Sequence, residues 1–388
     1  MMHAPHGLRL PAPHLRTADG RGEEERHASW LEAFFDLVFV AAVAELAGAL
    51  EPAVTAGTLG RFFGLFVPIW AVWMAFSVYA DRHDSDDVVH RLTMLVAMAL
   101  SVGLAASVPA AFHGDTAPFA IAFVALRALQ LGLYARARRH VAETRALYAR
   151  FLVLYGAGGA LWAASLACDG STRYVLWAAG LAVDLAGPLS ESHTAQRLAV
   201  NVRHIAERFQ LFLIIVLGES VAQLVSAAHD RPWSVHEGAV LAAAFAVLAG
   251  LWWVTLNAVD HVALARHPGQ ITRFIFVNLP LVAGIASASA GLHRAIIAAD
   301  GASSIPVASR VALYGGVALA LLATAALPGQ DTPRRIRVAA AAAAAGLVAM
   351  GAFVRPYYLV PALAAVVLAG ISAEAWRQRP AGGLAFAT

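Results

Sequence analysis

From His204 to Ala228 the sequence runs apolar for about the thickness of a bilayer, yet it carries Glu207, Arg208, Glu219 and Gln223. An ionisable group near a bilayer centre costs about 2.5–3.5 kcal/mol on insertion scales. On a helix, steps of three and four residues return to one face, so Arg208, Phe212, Ile215, Glu219, Gln223 and Ser226 form a single stripe. Two uses fit such a stripe. It lines an aqueous cavity or ion pathway, with Glu219 the protonatable or cation-binding group and Gln223 its hydrogen-bond partner, or the same two residues join helices through buried hydrogen bonds.

Three more acids occupy the first apolar run, Trp30 to Leu50. Glu32 and Asp36 stand four residues apart on one helix face, suited to a cytosolic-side gate or, for Glu32, to a helix-start carboxylate favoured by the dipole. Glu45 lies nine residues beyond Asp36, hence on the opposite side, so one helix cannot aim both at one cavity. Arg127 and Gln130 fall inside the fourth apolar run and Asp184 inside the sixth. A buried arginine needs a partner, which predicts that Arg127 or Arg208 pairs with one of the acids. The run from Asp81 to Asp87 has acids at cation-binding spacing but lacks the glycine and the terminal glutamate of an EF-hand, and reads as a solvated acidic loop. Pro280 beside Asn278 predicts a bend in the ninth run. His204 and Glu207 alone do not make a zinc site.

These residues need helices to carry them. Hydrophobic residues are 60% of the 388 and charged ones 14%, against about 45–50% and 25% in a soluble domain. Apolar runs fall near Trp30–Leu50, Phe62–Tyr79, Leu92–Phe112, Pro118–Tyr134, Tyr148–Cys168, Tyr174–Leu189, Ile205–Ala228, Gly238–Val259, Phe274–Leu292, Val307–Leu327, Val338–Phe353 and Tyr357–Trp376. Twelve spans are predicted. The sixth is short and holds Asp184, and Arg355-Pro356 barely separates the last two, so ten or eleven is the lower reading. Every basic residue is arginine, and twenty of them fall on the tails and alternate loops, against five on the opposite set. Positive residues stay cytoplasmic in short loops, which places both termini inside.

The fold class is therefore an all-α, polytopic transmembrane helical bundle. Residues 1–28 read as a cytosolic tail without a signal-peptide core. Residues 29–190 form a first six-helix half, 191–204 a cytosolic connector, 205–377 a second half and 378–388 a second tail. Trp30, Trp233 and Trp376 sit at span ends, as interfacial anchors do. Glu32, Phe34 and Glu45 on the first span are echoed by Glu207, Phe209 and Glu219 on the seventh, which suggests two parallel repeats with a site between them.

The stretches Leu31-Glu-Ala-Phe-Phe-Asp-Leu-Val-Phe-Val and Glu207-Arg-Phe-Gln-Leu-Phe-Leu-Ile-Ile-Val-Leu-Gly-Glu-Ser resemble the two motifs of the bacterial low temperature requirement A family, in the expected order. Ala33 replaces the family's usual leucine, and Gln210 stands where glycine is common. The resemblance implies a multi-pass protein of the bacterial plasma membrane linked to growth in the cold, with no assigned molecular activity. A fainter similarity, in the first-helix acid and the duplicated halves, is to potassium channels of lysosomes and bacteria, and it is analogy only.

The single Cys168 excludes a disulfide framework and cysteine metal clusters, and no nucleophile elbow, P-loop or dinucleotide glycine pattern occurs. No enzyme activity, cofactor, metal or nucleic acid is expected. The expected partners are the bilayer, a small ion or small-molecule substrate, and further copies of the chain. The reading that follows is a secondary transporter or permease coupled to protons or cations. Its pathway residues are Glu219, Gln223, Asp36, Glu45, Arg208, Glu207 and Glu32. A cation channel at the interface of the two halves is one alternative. A non-transporting protein adapting to cold or lipid state is another.

Overall fold

The computed structural model describes residues 29–50, 54–83, 88–189, 202–229, 234–259, 264, 269–299, 304–327 and 331–377. Among them every regular element is a helix. In chain order these are α1 Trp30–Leu50, α2 Ala56–Arg82, α3 Val88–Phe112, α4 Ala117–His140, α5 Arg145–Ser165 and α6 Gly170–Leu189. There follow α7 Val202–Ala228, α8 Val235–Leu256, α9 Gly269–Ile297, α10 Val307–Ala326, α11 Asp331–Met350 and α12 Pro356–Arg377. Each predicted apolar run falls on its own helix, and α11 and α12 are separate.

Ten of the twelve are long and apolar enough to cross a membrane; α6 and α11 are not among them. Arg173 and Asp184 lower the apolarity of α6, and Asp331, Arg334, Arg335 and Arg337 that of the start of α11. The surface is apolar where a soluble protein would be polar, with Leu37, Val96, Ile121, Val153, Val175 and Phe245 all exposed. Conversely Asp36, Arg127, Asp184 and Arg208 are fully buried. Apolar outside and charged inside is the arrangement a lipid solvent selects. The chain is a multi-pass membrane protein.

Two compact units divide it, one taking the described residues of Met1–Ala42 and Val67–Arg208, the other those of Val43–Phe66 and Phe209–Thr388. In the first, α3 packs on α4, α4 on α5 and α5 on α6. Its interior is aromatic, with Trp162 stacked on Trp177 at 4.3 Å between ring centres and Tyr134 set among Tyr79, Tyr148 and Tyr155.

In the second unit α9 packs on α10, α10 on α11, α11 on α12 and α12 on α8. Helix α9 continues through Pro280, and Asn278 Nδ2 donates to the carbonyl of Phe274 at 2.8 Å. Helices α9 and α10 touch backbone to backbone. A Cβ on Gly284 would stand 2.6 Å from the carbonyl oxygen of Gly316, and a Cβ on Gly316 2.6 Å from that of Gly284. Small residues at such a crossing permit the close approach that drives helix association in lipid. Gly316→Ala is expected to cost about 1–3 kcal/mol, because backbone rather than a flexible side chain must move. A lower thermal midpoint of the detergent-solubilised protein is the readout; an unchanged midpoint would mean the crossing is not tight.

Candidate functional site: a buried carboxylate, imidazole and guanidinium network

Helix α1 starts on a capping box. The Ser29 N–H and hydroxyl donate to Glu32 Oε2 at 2.8 and 3.0 Å, and the Glu32 N–H donates back to Ser29 Oγ at 3.3 Å. The expected helix-start role of Glu32 is thus present. One turn on, Asp36 shares the same face and is wholly buried. From α2, Trp73, Ser77 and Asp81 lie at steps of four, all buried, and from α7 so do His204 and Arg208.

The three faces meet inside the first unit. Arg208 Nη2 donates to Asp36 Oδ1 at 3.2 Å, and Nη1 lies 3.5 Å from Glu32 Oε1. Trp73 Nε1 donates to the same Asp36 oxygen at 2.8 Å, and the guanidinium stands 5.6 Å from the centre of the Phe35 ring. His204 bridges the other two acids, Nδ1 to Asp81 Oδ1 at 2.7 Å and Nε2 to Glu32 Oε2 at 3.3 Å. Asp36 Oδ2 has no hydrogen-bond partner among the described residues. Three buried carboxylates thus share one guanidinium and one imidazole.

Of the predicted site residues, the structure brings together Glu32, Asp36 and Arg208. Glu207 is half-buried beside them on α7. Glu219 is half-buried three turns further along α7, and Gln223 accepts a hydrogen bond from Ser289 of α9 at 2.8 Å rather than from Glu219. Glu45 is exposed. The buried face of α7 runs through His204, Arg208, Phe212, Val216 and Ser220, leaving Ser226 exposed. Asp81 corrects the reading of a solvated acidic loop. Helix α2 extends to Arg82 and carries Asp81 into the interior, while Asp84 to Asp87 lie outside the described residues. Trp30 and Trp376 are exposed at helix ends; Trp233 is outside the described residues.

His204, Asp81 and Trp73 were not legible as site residues, although two signals were present. His204 precedes Arg208 by four residues, and Trp73 and Asp81 share one face of α2.

A second buried pair lies in the same unit. Arg127 of α4 donates to Asp184 of α6 at 2.6 Å and to Gln130 one turn along its own helix, with the Tyr155 ring 4.7 Å from the guanidinium. The predicted pairing of Arg127 and of Arg208 with acids is therefore seen for both. Here glycines make the room, since a Cβ on Gly158 would collide with the Asp184 carboxylate.

The family model described as bacterial low temperature requirement A protein (LtrA) matches residues 27–373, nearly the whole chain and both halves of the network. The chain belongs to the LtrA family. Residues Glu32, Asp36 and Arg208, which meet in the structure, come from the two LtrA-like motifs, 172 residues apart in sequence. The chain is also 27% identical over 286 residues to the uncharacterized protein RA0937 of Rhizobium meliloti (strain 1021), covering 69% of each chain. No solved structure matches.

Proposed function

We propose that this LtrA-family protein is a secondary transporter or permease of the bacterial plasma membrane, with the Glu32, Asp36, Asp81, His204 and Arg208 network as its coupling site. One observation carries the reading. Three buried carboxylates, an imidazole and an arginine from three helices join in one network, with Arg208 on Asp36 and Glu32 and His204 on Glu32 and Asp81. A protein that only needed helix adhesion would be served by apolar residues of similar volume, which are as stable or more so than a buried ion network. Buried ionisable groups inside a bundle mark ion pathways and proton relays.

Support also comes from the order of neighbours, α3 to α6 in the first unit and α9 to α12 in the second, which suits two parallel six-helix repeats. Glu219 and Gln223 on the far part of α7 are then lining groups, with Gln223 held by Ser289.

The test is flux into liposomes holding the purified protein, with proton, sodium or potassium gradients and dyes for each ion. Asp36→Asn keeps an acceptor for Trp73 but removes the charge, and is expected to reduce flux to that of empty liposomes. Glu45→Gln, at an exposed position, is expected to leave flux intact. Saturation would identify a carrier and its absence a channel. Equal flux in wild type and Asp36→Asn at equal reconstitution would sink the proposal.

A further inference from the structure

The ring of His204 is held at both nitrogens by carboxylate oxygens on different helices, Asp81 on α2 and Glu32 on α1. A carboxylate oxygen only accepts, so each of the two contacts needs a proton between nitrogen and oxygen. A neutral imidazole carries one. Both contacts are hydrogen bonds together only in a two-proton state, with the ring an imidazolium or one neighbouring carboxyl protonated. With the ring charged, the carboxylates of the network, Glu32 and Asp81 on His204 and Glu32 and Asp36 on Arg208, outnumber the two cations by one.

We infer that the ion exchanged at this site is the proton, held on His204, and that its release unlatches α1 from α7 at Glu32. This rests on the transport reading for its role, though not for its measurement. Of the two contacts, the one to Glu32 is longer, at 3.3 Å against 2.7 Å, and Glu32 has other donors in Ser29 and Arg208. It is the contact that opens. The N–H bond at Nε2 breaks, its electron pair stays on nitrogen, and the proton passes to water as hydronium. A lone pair then faces the lone pairs of Glu32 Oε2, and attraction becomes repulsion. Nδ1 keeps its proton and its bond to Asp81, so α7 remains tied to α2 at its start, while α1 is held to α7 only one turn further on, through Arg208 at Asp36 and Glu32. A metal cation is a poorer occupant, because Trp73, Arg208, Ser29 and His204 already point N–H or O–H groups at the acidic oxygens. Among the described residues no group of three or more histidine, cysteine or acidic side chains is arranged to hold a metal ion.

The chain has one cysteine, Cys168, so site-directed spin labelling is direct. In a Cys168→Ser background, labels at Trp30→Cys on α1 and Arg203→Cys on α7, both exposed, report the distance between the two helices by pulsed electron paramagnetic resonance in nanodiscs. The expected result is a longer α1 to α7 distance at about pH 10.5 than at about pH 5, a range that extends well past ordinary histidine titration. His204→Gln is expected to abolish the shift. Where that variant does not fold, Glu32→Gln serves, because an amide does not repel the deprotonated ring and the shift is again lost. Identical distances at both pH values in the His204 protein, or a shift that survives His204→Gln, would overturn the inference. No ion gradient is present in this measurement. A shift without flux would therefore count against the transport reading alone, and flux without a shift against the His204 latch alone.

Discussion

Arg208→Met is expected to reduce the folded fraction of the protein sharply, by about 3–5 kcal/mol of stability. The side chain is fully buried and is the cation shared by Glu32 and Asp36. Methionine fills much of the volume but leaves Asp36 with the Trp73 N–H alone and Glu32 with Ser29 and His204. A domain's whole stability is about 5–15 kcal/mol, so a loss of this size decides whether the chain survives purification. Arg208→Lys is expected to recover part of the loss, because the charge returns without the fork that reaches two acids at once. The double variant Arg208→Met with Asp36→Leu is expected to be more stable than Arg208→Met alone, because it removes a stranded charge instead of leaving it buried. Monodisperse yield on size exclusion and the thermal midpoint in detergent check all three. A double variant no better than the single would mean that Arg208 contributes by packing on Phe35 rather than by charge.

The helices were legible because a bilayer imposes one rule along the whole chain. Each span needs about 20 mainly apolar residues, and every run so found became a helix. Helix ends were less so. The acidic run after Tyr79 resembles a loop by composition, but α2 keeps its hydrogen bonding to Arg82, and Asp81 finds His204 to make burial tolerable. The partner of Gln223 was missed for a related reason. Spacing along one helix offers Glu219 at four residues, whereas the observed partner, Ser289, is 66 residues away and set by how α9 packs on α7. Periodicity reveals which residues share a face; it does not say which face another helix covers. That is also why Glu32, Asp36 and Arg208 could be named from their motifs while their meeting point could not.

Arg127 supplies the counterpart prediction, at a site where the same physics serves structure. Its guanidinium is buried against Asp184 and Gln130 and lies near the rings of Phe123 and Tyr155, at 5.3 and 4.7 Å. The pair draws α4 to α6 while α5 passes between them on Gly158 and Gly159, where added Cβ atoms would press on Asp184 and Arg127. Arg127→Leu strands Asp184 in an apolar interior and is expected to cost about 3–5 kcal/mol, as is Asp184→Leu, which strands the arginine. Arg127→Leu with Asp184→Leu is expected to regain most of the loss, since a buried ion pair exchanged for apolar side chains is often neutral or better. Flux supplies the contrast with the first network. If Arg127 and Asp184 are a structural pair and the proposed transport reading holds, the double variant is expected to match the wild-type rate at equal reconstitution. On the proposed transport reading, no second substitution is expected to restore flux once Asp36 has lost its charge. Unchanged folding and abundance of Arg127→Leu in the membrane would show that Asp184 is satisfied without it. Loss of flux in a stable double variant would place this pair on the pathway as well.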